Sequence, residues 1–106
     1  MQPMFQWVGD INAGFPSAAE GYEDQPLDLN ELIPNPAATF FFRVKGDDLR
    51  HEHLRDGSYL IVDRSVTPQR GRLVLVEEDG QFVVCRFRVD RPSVVCGVVT
   101  AAIHRF

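Results

Sequence analysis

The chain has 106 residues, 44% of them hydrophobic and 25% charged, with a formal net charge of −4 and an isoelectric point near 5.2. This is the size of one domain with a modest core, and its acidic balance argues against a dedicated DNA- or RNA-binding domain, which carries a basic excess. No apolar run is long enough to cross a bilayer, and Met1 to Gly14 lacks a positive region followed by an apolar core, so a cytoplasmic protein without a signal peptide is expected.

Residues 1–25 are rich in Gly, Pro, Ala and small polar residues and read as an arm, with 26–106 as the body. Phe5, Trp7, Ile11 and Phe15 are too apolar for a free tail, so part of this arm is expected to dock on a surface. Leu27 to Ile33 suggests one or two helical turns, stopped by Pro34 and Pro36. From Thr39, Phe40, Phe42 and Val44 alternate with Phe41, Arg43 and Lys45, which predicts a strand with one strongly apolar face, ending at Gly46. Asp47 and Asp48 follow at the turn, and Arg50 to Arg55 reads as a polar, His-rich loop.

Asp56-Gly57 is a turn before a strand over Ser58 to Asp63, and Thr67-Pro68 to Gly71 is a turn before a strand over Arg72 to Glu77. Asp79-Gly80 is a hairpin signal. Gln81 to Val89 reads as a fourth strand, with Val83, Cys85, Phe87 and Val89 on one face and Phe82, Val84, Arg86 and Arg88 on the other. A short turn over Asp90 to Ser93 leads into a last apolar strand, Val94 to Ile103. The expected fold is mainly antiparallel β. Cys85 and Cys96 both sit in Val-rich runs and read as buried thiols in a reducing compartment, ahead of a disulfide. No Cys/His spacing resembles a metal site, and no cofactor site is expected.

Several stretches, in order, resemble the self-cleaving serine peptidases of the UmuD and LexA type, UmuD most closely. They are Ala13-Gly-Phe-Pro-Ser17, Leu27-Asp-Leu-Asn-Glu-Leu32, Ala38-Thr-Phe40, Gly46-Asp47, Asp56-Gly57 with Leu60-Ile-Val-Asp63, Gly71-Arg-Leu-Val74, Asp79-Gly-Gln-Phe82 and Gly97-Val-Val99. The resemblance implies a LexA/UmuD peptidase-like antiparallel β domain behind an extended arm. It also implies a serine after the Gly-Asp turn and a desolvated, neutral lysine on the strand after the Asp-Gly hairpin. The bond cut in such proteins lies in the arm, and the resemblance puts it at Ala13-Gly14.

This sequence departs at both catalytic positions: the serine position is Asp48 and the lysine position is Cys85. Lys45 is the only lysine in the chain. Family members also have a longer stretch where this chain has Asp90 to Ser93. Asp48 as a catalytic carboxylate lacks a converging partner, because the side chain of adjacent Asp47 diverges on an extended turn. Cys85 as a nucleophile served by His51 or His53 lacks an orienting group, and the two histidines with Glu52 are too few for a metal site. Ser58 and Ser65 match no family nucleophile. Arg86, Arg88 and Arg91 read as an intermolecular contact or salt-bridge face.

The function expected by resemblance is therefore a non-catalytic UmuD-like protein of the SOS response, a dimeric accessory or regulatory subunit for an error-prone polymerase in translesion synthesis. Its expected partners are a second UmuD-like chain, as homodimer or heterodimer, a UmuC-type polymerase and the RecA filament, with no direct nucleic acid and no membrane. The alternatives are an active self-cleaving peptidase using unfamiliar residues, or a regulator forming mixed dimers with an intact UmuD or LexA.

Overall fold

The computed structural model describes residues 11, 28–90 and 94–106, and the chain divides between Pro34 and Asn35 into two units. In the first unit Leu29–Leu32 forms a single 3-10 turn, where the sequence predicts helix. Asp28 caps it, its Oδ1 accepting from the Asn30 backbone N–H at 2.9 Å. Ile11 is exposed. The expectation that Phe5, Trp7 and Phe15 dock on a surface falls outside the described residues.

The second unit is one five-stranded antiparallel sheet: β1 (Thr39–Arg43), β2 (Tyr59–Asp63), β3 (Leu73–Glu78), β4 (Gln81–Arg86) and β5 (Val94–Ile103). The spatial order is β1-β2-β5-β3-β4, so the last strand in chain order joins the two halves of the sheet. The β3–β4 hairpin closes through Asp79 and Gly80, with φ of 51° and 78°. Both being positive gives the backbone twist that a two-residue hairpin needs.

Alternation sorts the side chains into two apolar clusters. Val44, Leu54, Leu60, Val62, Leu75 and Val99 form one, joined by Phe42, Leu49, Leu73, Val84 and Cys96. Val74, Val76 and Val98 form the other, joined by Val66, Val83, Cys85, Phe87 and Val95. The predicted parity of β4 is thus found: Val83, Cys85 and Phe87 pack on one cluster, while Val84 packs on the other. Phe82 turns toward β1, its ring centroid 5.3 Å from that of Phe42, so the two edge strands approach each other across one face.

Three expectations need correction. β4 ends at Arg86 and not at Val89; Phe87 still donates its N–H to Arg72 O at 2.8 Å, but Val89 and Asp90 already turn. The face of β1 is less buried than its apolarity suggests, since Phe40 remains 43% exposed. Among the described residues β1 is an edge strand, and the Arg64 guanidinium lies over the Phe40 ring, 5.7 Å from its centroid. Both cysteines are free thiols, but half-buried and not fully enclosed.

Candidate functional site

The loop between β1 and β2 is fixed at its base and along its length. Val44 N–H donates to Ser58 O at 2.8 Å, and Gly57 N–H donates to Val44 O at 2.7 Å. Gly46, at φ 88°, turns the chain so that its N–H meets Asp56 Oδ1 at 2.6 Å. A 3-10 turn over Arg50–Glu52 follows and ends at His53 in the left-handed region, φ 64°. Leu54, 4% exposed, and Leu49 anchor the loop in the first apolar cluster. The stretch read as a polar loop therefore carries a core residue, Leu54, and His51 and His53 are exposed on it.

Asp48 sits on this loop, exposed, and among the described residues it makes no hydrogen bond or ion pair. Cys85 is half-buried opposite Val74 on β3, among the second cluster of valines. One position offers a solvated carboxylate and the other an apolar-packed thiol. Neither histidine of the loop is hydrogen-bonded to Cys85. Lys45 is exposed. Ala13 and Gly14 lie outside the described residues. Among the described residues no group of three or more His, Cys, Asp or Glu side chains is placed to hold a metal ion.

What ties the Asp48 loop to the Cys85 strand is an ion pair. Arg86 Nε donates to Glu52 Oε2 at 3.0 Å, Nη2 donates to Glu52 Oε1, and Nη1 donates to Gly71 O at 2.8 Å. One guanidinium thus joins the loop, β4 and the turn before β3 in a fork geometry. The Arg86 hydrogen bond holds the Glu52 carboxyl below its ordinary range, against the opposing effect of desolvation. A depressed carboxyl pKa contributes stability that is present above the unfolded-state value and is lost as pH falls through the folded one. Thermal denaturation of Glu52→Gln from neutral pH down through the carboxylate range should show a lower Tm at neutral pH and a smaller loss on acidification than the parent. Parallel Tm–pH curves would count against this role. Arg88 pairs with Asp90 at 3.1 Å, so the described members of the predicted basic cluster form salt bridges within the chain.

Pattern reading missed a serine–histidine contact. Ser58, 2% exposed, accepts the Arg55 backbone N–H at 3.1 Å, and its Oγ lies 3.5 Å from His104 Nδ1. Arg55 Nη1 is 3.3 Å from His104 Nε2. A guanidinium only donates, so Nε2 must present its lone pair and the ring proton sits on Nδ1, facing Ser58. Neutral His104 in this tautomer donates toward the hydroxyl and has no lone pair there to take its proton. The contact fastens the end of β5 to the start of β2; nothing in the pattern of Asp56 to Tyr59 signals it, because His104 is 46 residues away. Ser65 is likewise structural: its N–H and Oγ donate to the buried Asp63 Oδ1 at 2.8 and 2.6 Å.

The described residues form an antiparallel β domain with the exposed Asp48 on the loop after β1 and the half-buried Cys85 on β4. A family profile described as Peptidase S24-like matches residues 6–95. The chain is 42% identical to Protein ImpA of Escherichia coli over 125 aligned positions, covering 99% of this chain and 85% of that protein. It is 38% identical to Protein SamA of Salmonella typhimurium, over 88% of this chain and 79% of that one. It is also 32% identical to the LexA repressor of Acidithiobacillus ferrooxidans, over 82% of this chain and 43% of the repressor. The chain belongs to the Peptidase S24-like family, of the UmuD and LexA type. The ImpA alignment is longer than the 106-residue chain, so at least 19 of its positions have no residue here. No helix among the described residues is long and apolar enough to cross a membrane, which says nothing of β-barrels.

Proposed function

We propose that this chain is a non-catalytic UmuD-like protein of the SOS response, acting as a dimeric accessory or regulatory subunit of an error-prone polymerase in translesion synthesis. What supports the reading is that Asp48 is exposed and Cys85 is packed among valines, the two residues that the resemblance puts at the nucleophile and base positions, with the single lysine, Lys45, exposed elsewhere. An exposed carboxylate has no hydroxyl to acylate, and a thiol packed among valines is no base for one. Dimerisation and partner binding need only the fold and its surfaces, which the family membership supports. Residues 1–25 serve as the arm, residues 26–106 as the body, and the protein works in the cytoplasm. The partners are a second UmuD-like chain, a UmuC-type polymerase and the RecA filament. The test is reconstitution: the purified chain should sediment as a dimer at micromolar concentration and comigrate with a UmuC-type polymerase on size exclusion. A monomer at every concentration, with no comigration, would overturn the reading.

Ala13-Gly14 favours a second reading, in which an intact UmuD cuts this chain in a mixed dimer. A small residue followed by glycine lets the backbone lie extended in a narrow cleft. Trimming after Ala13 with active UmuD, but not with UmuD whose serine is replaced, and its loss in Gly14→Val, would establish it.

A further inference from the structure

Arg43, Tyr59 and Ile103 form one row across β1, β2 and β5, at the end of the sheet where the β1–β2 loop leaves it. Directly paired residues share a face, so Phe41 stands on the same face one row in, about 7 Å along the strand. Arg43 Nη2 donates to Tyr59 Oη at 3.3 Å, and its guanidinium carbon lies 5.4 Å from the centre of the Tyr59 ring. Arg105, two residues past Ile103, acts on the same hydroxyl from the end of the chain. The Arg43 hydrogen bond and charge, seconded by those of Arg105, hold the phenol below its ordinary range against the effect of desolvation.

Two guanidiniums thus converge on one neutral oxygen, and among the described residues neither has a carboxylate partner, the C-terminal carboxylate of Phe106 included. The other charges at this end are placed differently. Asp56 accepts from Gly46 N–H at 2.6 Å, Arg55 contacts His104, and Lys45, Asp47 and Asp48 are exposed beyond the end of β1. Like charges held around a neutral group repel, and an anion between them removes that cost. Because Tyr59 Oη accepts from Arg43, its own proton is free to donate elsewhere, so the row offers an incoming group two forks and one O–H. Phosphate oxygens suit that donor set, since guanidiniums hold them bidentately. Phe41, 56% exposed, adds a flat ring on which a base can stack. The net charge of −4 repels a polynucleotide. A single phosphate feels mainly the cations within a screening length, about 8–10 Å.

We propose that Arg43, Tyr59 and Arg105 form a binding site for the terminal phosphate of a nucleotide, with its base on Phe41. The site shares no residue with the Asp48 and Cys85 positions and stands whether or not a polymerase is the partner.

The test titrates the full chain by calorimetry with deoxyadenosine 5′-monophosphate, deoxyadenosine, inorganic phosphate and an octathymidylate lacking a terminal phosphate. The monophosphate is expected to bind best, and the other three at least about tenfold more weakly, as loss of a charge-assisted contact or of base stacking predicts. Arg43→Gln and Arg105→Gln should each weaken the monophosphate about tenfold. Phe41→Ala should weaken it as well but leave inorganic phosphate unchanged. All three side chains are exposed, and circular dichroism of the variants is the folding control. A second readout leaves the site intact: in Tyr22→Phe protein, phenolate absorbance reports Tyr59 alone, and bound monophosphate, offsetting the two guanidiniums, should move its titration upward. This readout decides alone if a variant misfolds. No binding, tighter binding of the oligonucleotide, equal affinity for phosphate and monophosphate, undiminished affinity in both arginine variants, or an unmoved Tyr59 titration would overturn the proposal.

Discussion

Gly97→Val is expected to leave the chain largely unfolded at room temperature, and Gly97→Ala to lower its stability by about 1–3 kcal/mol, the usual cost of an inserted core methyl. Gly97 lies in β5, opposite Leu75, at the centre of the sheet. A Cβ there would stand 2.6 Å from Val62 Cγ1 and 3.3 Å from Asp63 O. Val62 is 1% exposed and its short branched side chain is stiff at χ1, while the Asp63 contact is backbone. A domain of this size has roughly 5–15 kcal/mol in total, so a valine, with three carbons to place, removes most of it. The check is a double-mutant cycle read by urea denaturation. Val62→Ala alone should destabilise by leaving a cavity. Combined with Gly97→Ala, it should give a smaller loss than the sum of the two. Simple additivity would show that the close approach to Val62 is not what excludes a side chain at 97.

The second large effect is an absence of reaction. Incubated alone from neutral to strongly alkaline pH, the chain is expected to remain full length, where a Ser-Lys enzyme would be converted to a fragment starting at Gly14. Raising the pH frees a lysine base only where a lysine is present beside a hydroxyl. Here the residues that the resemblance puts at those two positions are Asp48, exposed and without a hydrogen bond among the described residues, and Cys85, packed against Val74, Val76 and Val98. Ser58, the buried serine next to a histidine, faces the protonated nitrogen of His104. Intact mass spectrometry over a day at each pH is the measurement. A product lacking the first 13 residues, in a sample free of other proteases, would mean that one of these groups is competent and that the accessory reading is wrong.

The strands were legible because their side chains alternate and their turns are chemically marked. Asp79-Gly80 names its hairpin, and the parity of Val83 and Cys85 against Phe82 and Val84 is a matter of counting by twos. The family was legible as well, because its short motifs keep their order along the chain. What pattern does not carry is adjacency. Nothing in the order of the strands says that β5 separates β2 from β3, since that depends on which edges find each other in space. The Glu52–Arg86 pair spans 34 residues, and each member alone looks like a surface charge. Leu54 was lost in a polar stretch because a single anchoring residue in a loop has no period. The early end of β4 was hidden because Phe87 and Val89 continue the alternation after the ladder has turned away.

The position of β5 has a consequence for how the protein comes into being. The two strand pairs, β1 with β2 and β3 with β4, each form from neighbouring segments, but neither buries both faces and only β5 hydrogen-bonds to both. Residues 39–86 can therefore form only two separate strand pairs until the strand that unites them is in place. An isolated two-stranded hairpin is marginal in water. Folding of the sheet must therefore wait for residues 94–103, and a chain truncated before Val94 is expected to be left to proteases and chaperones with both halves exposed.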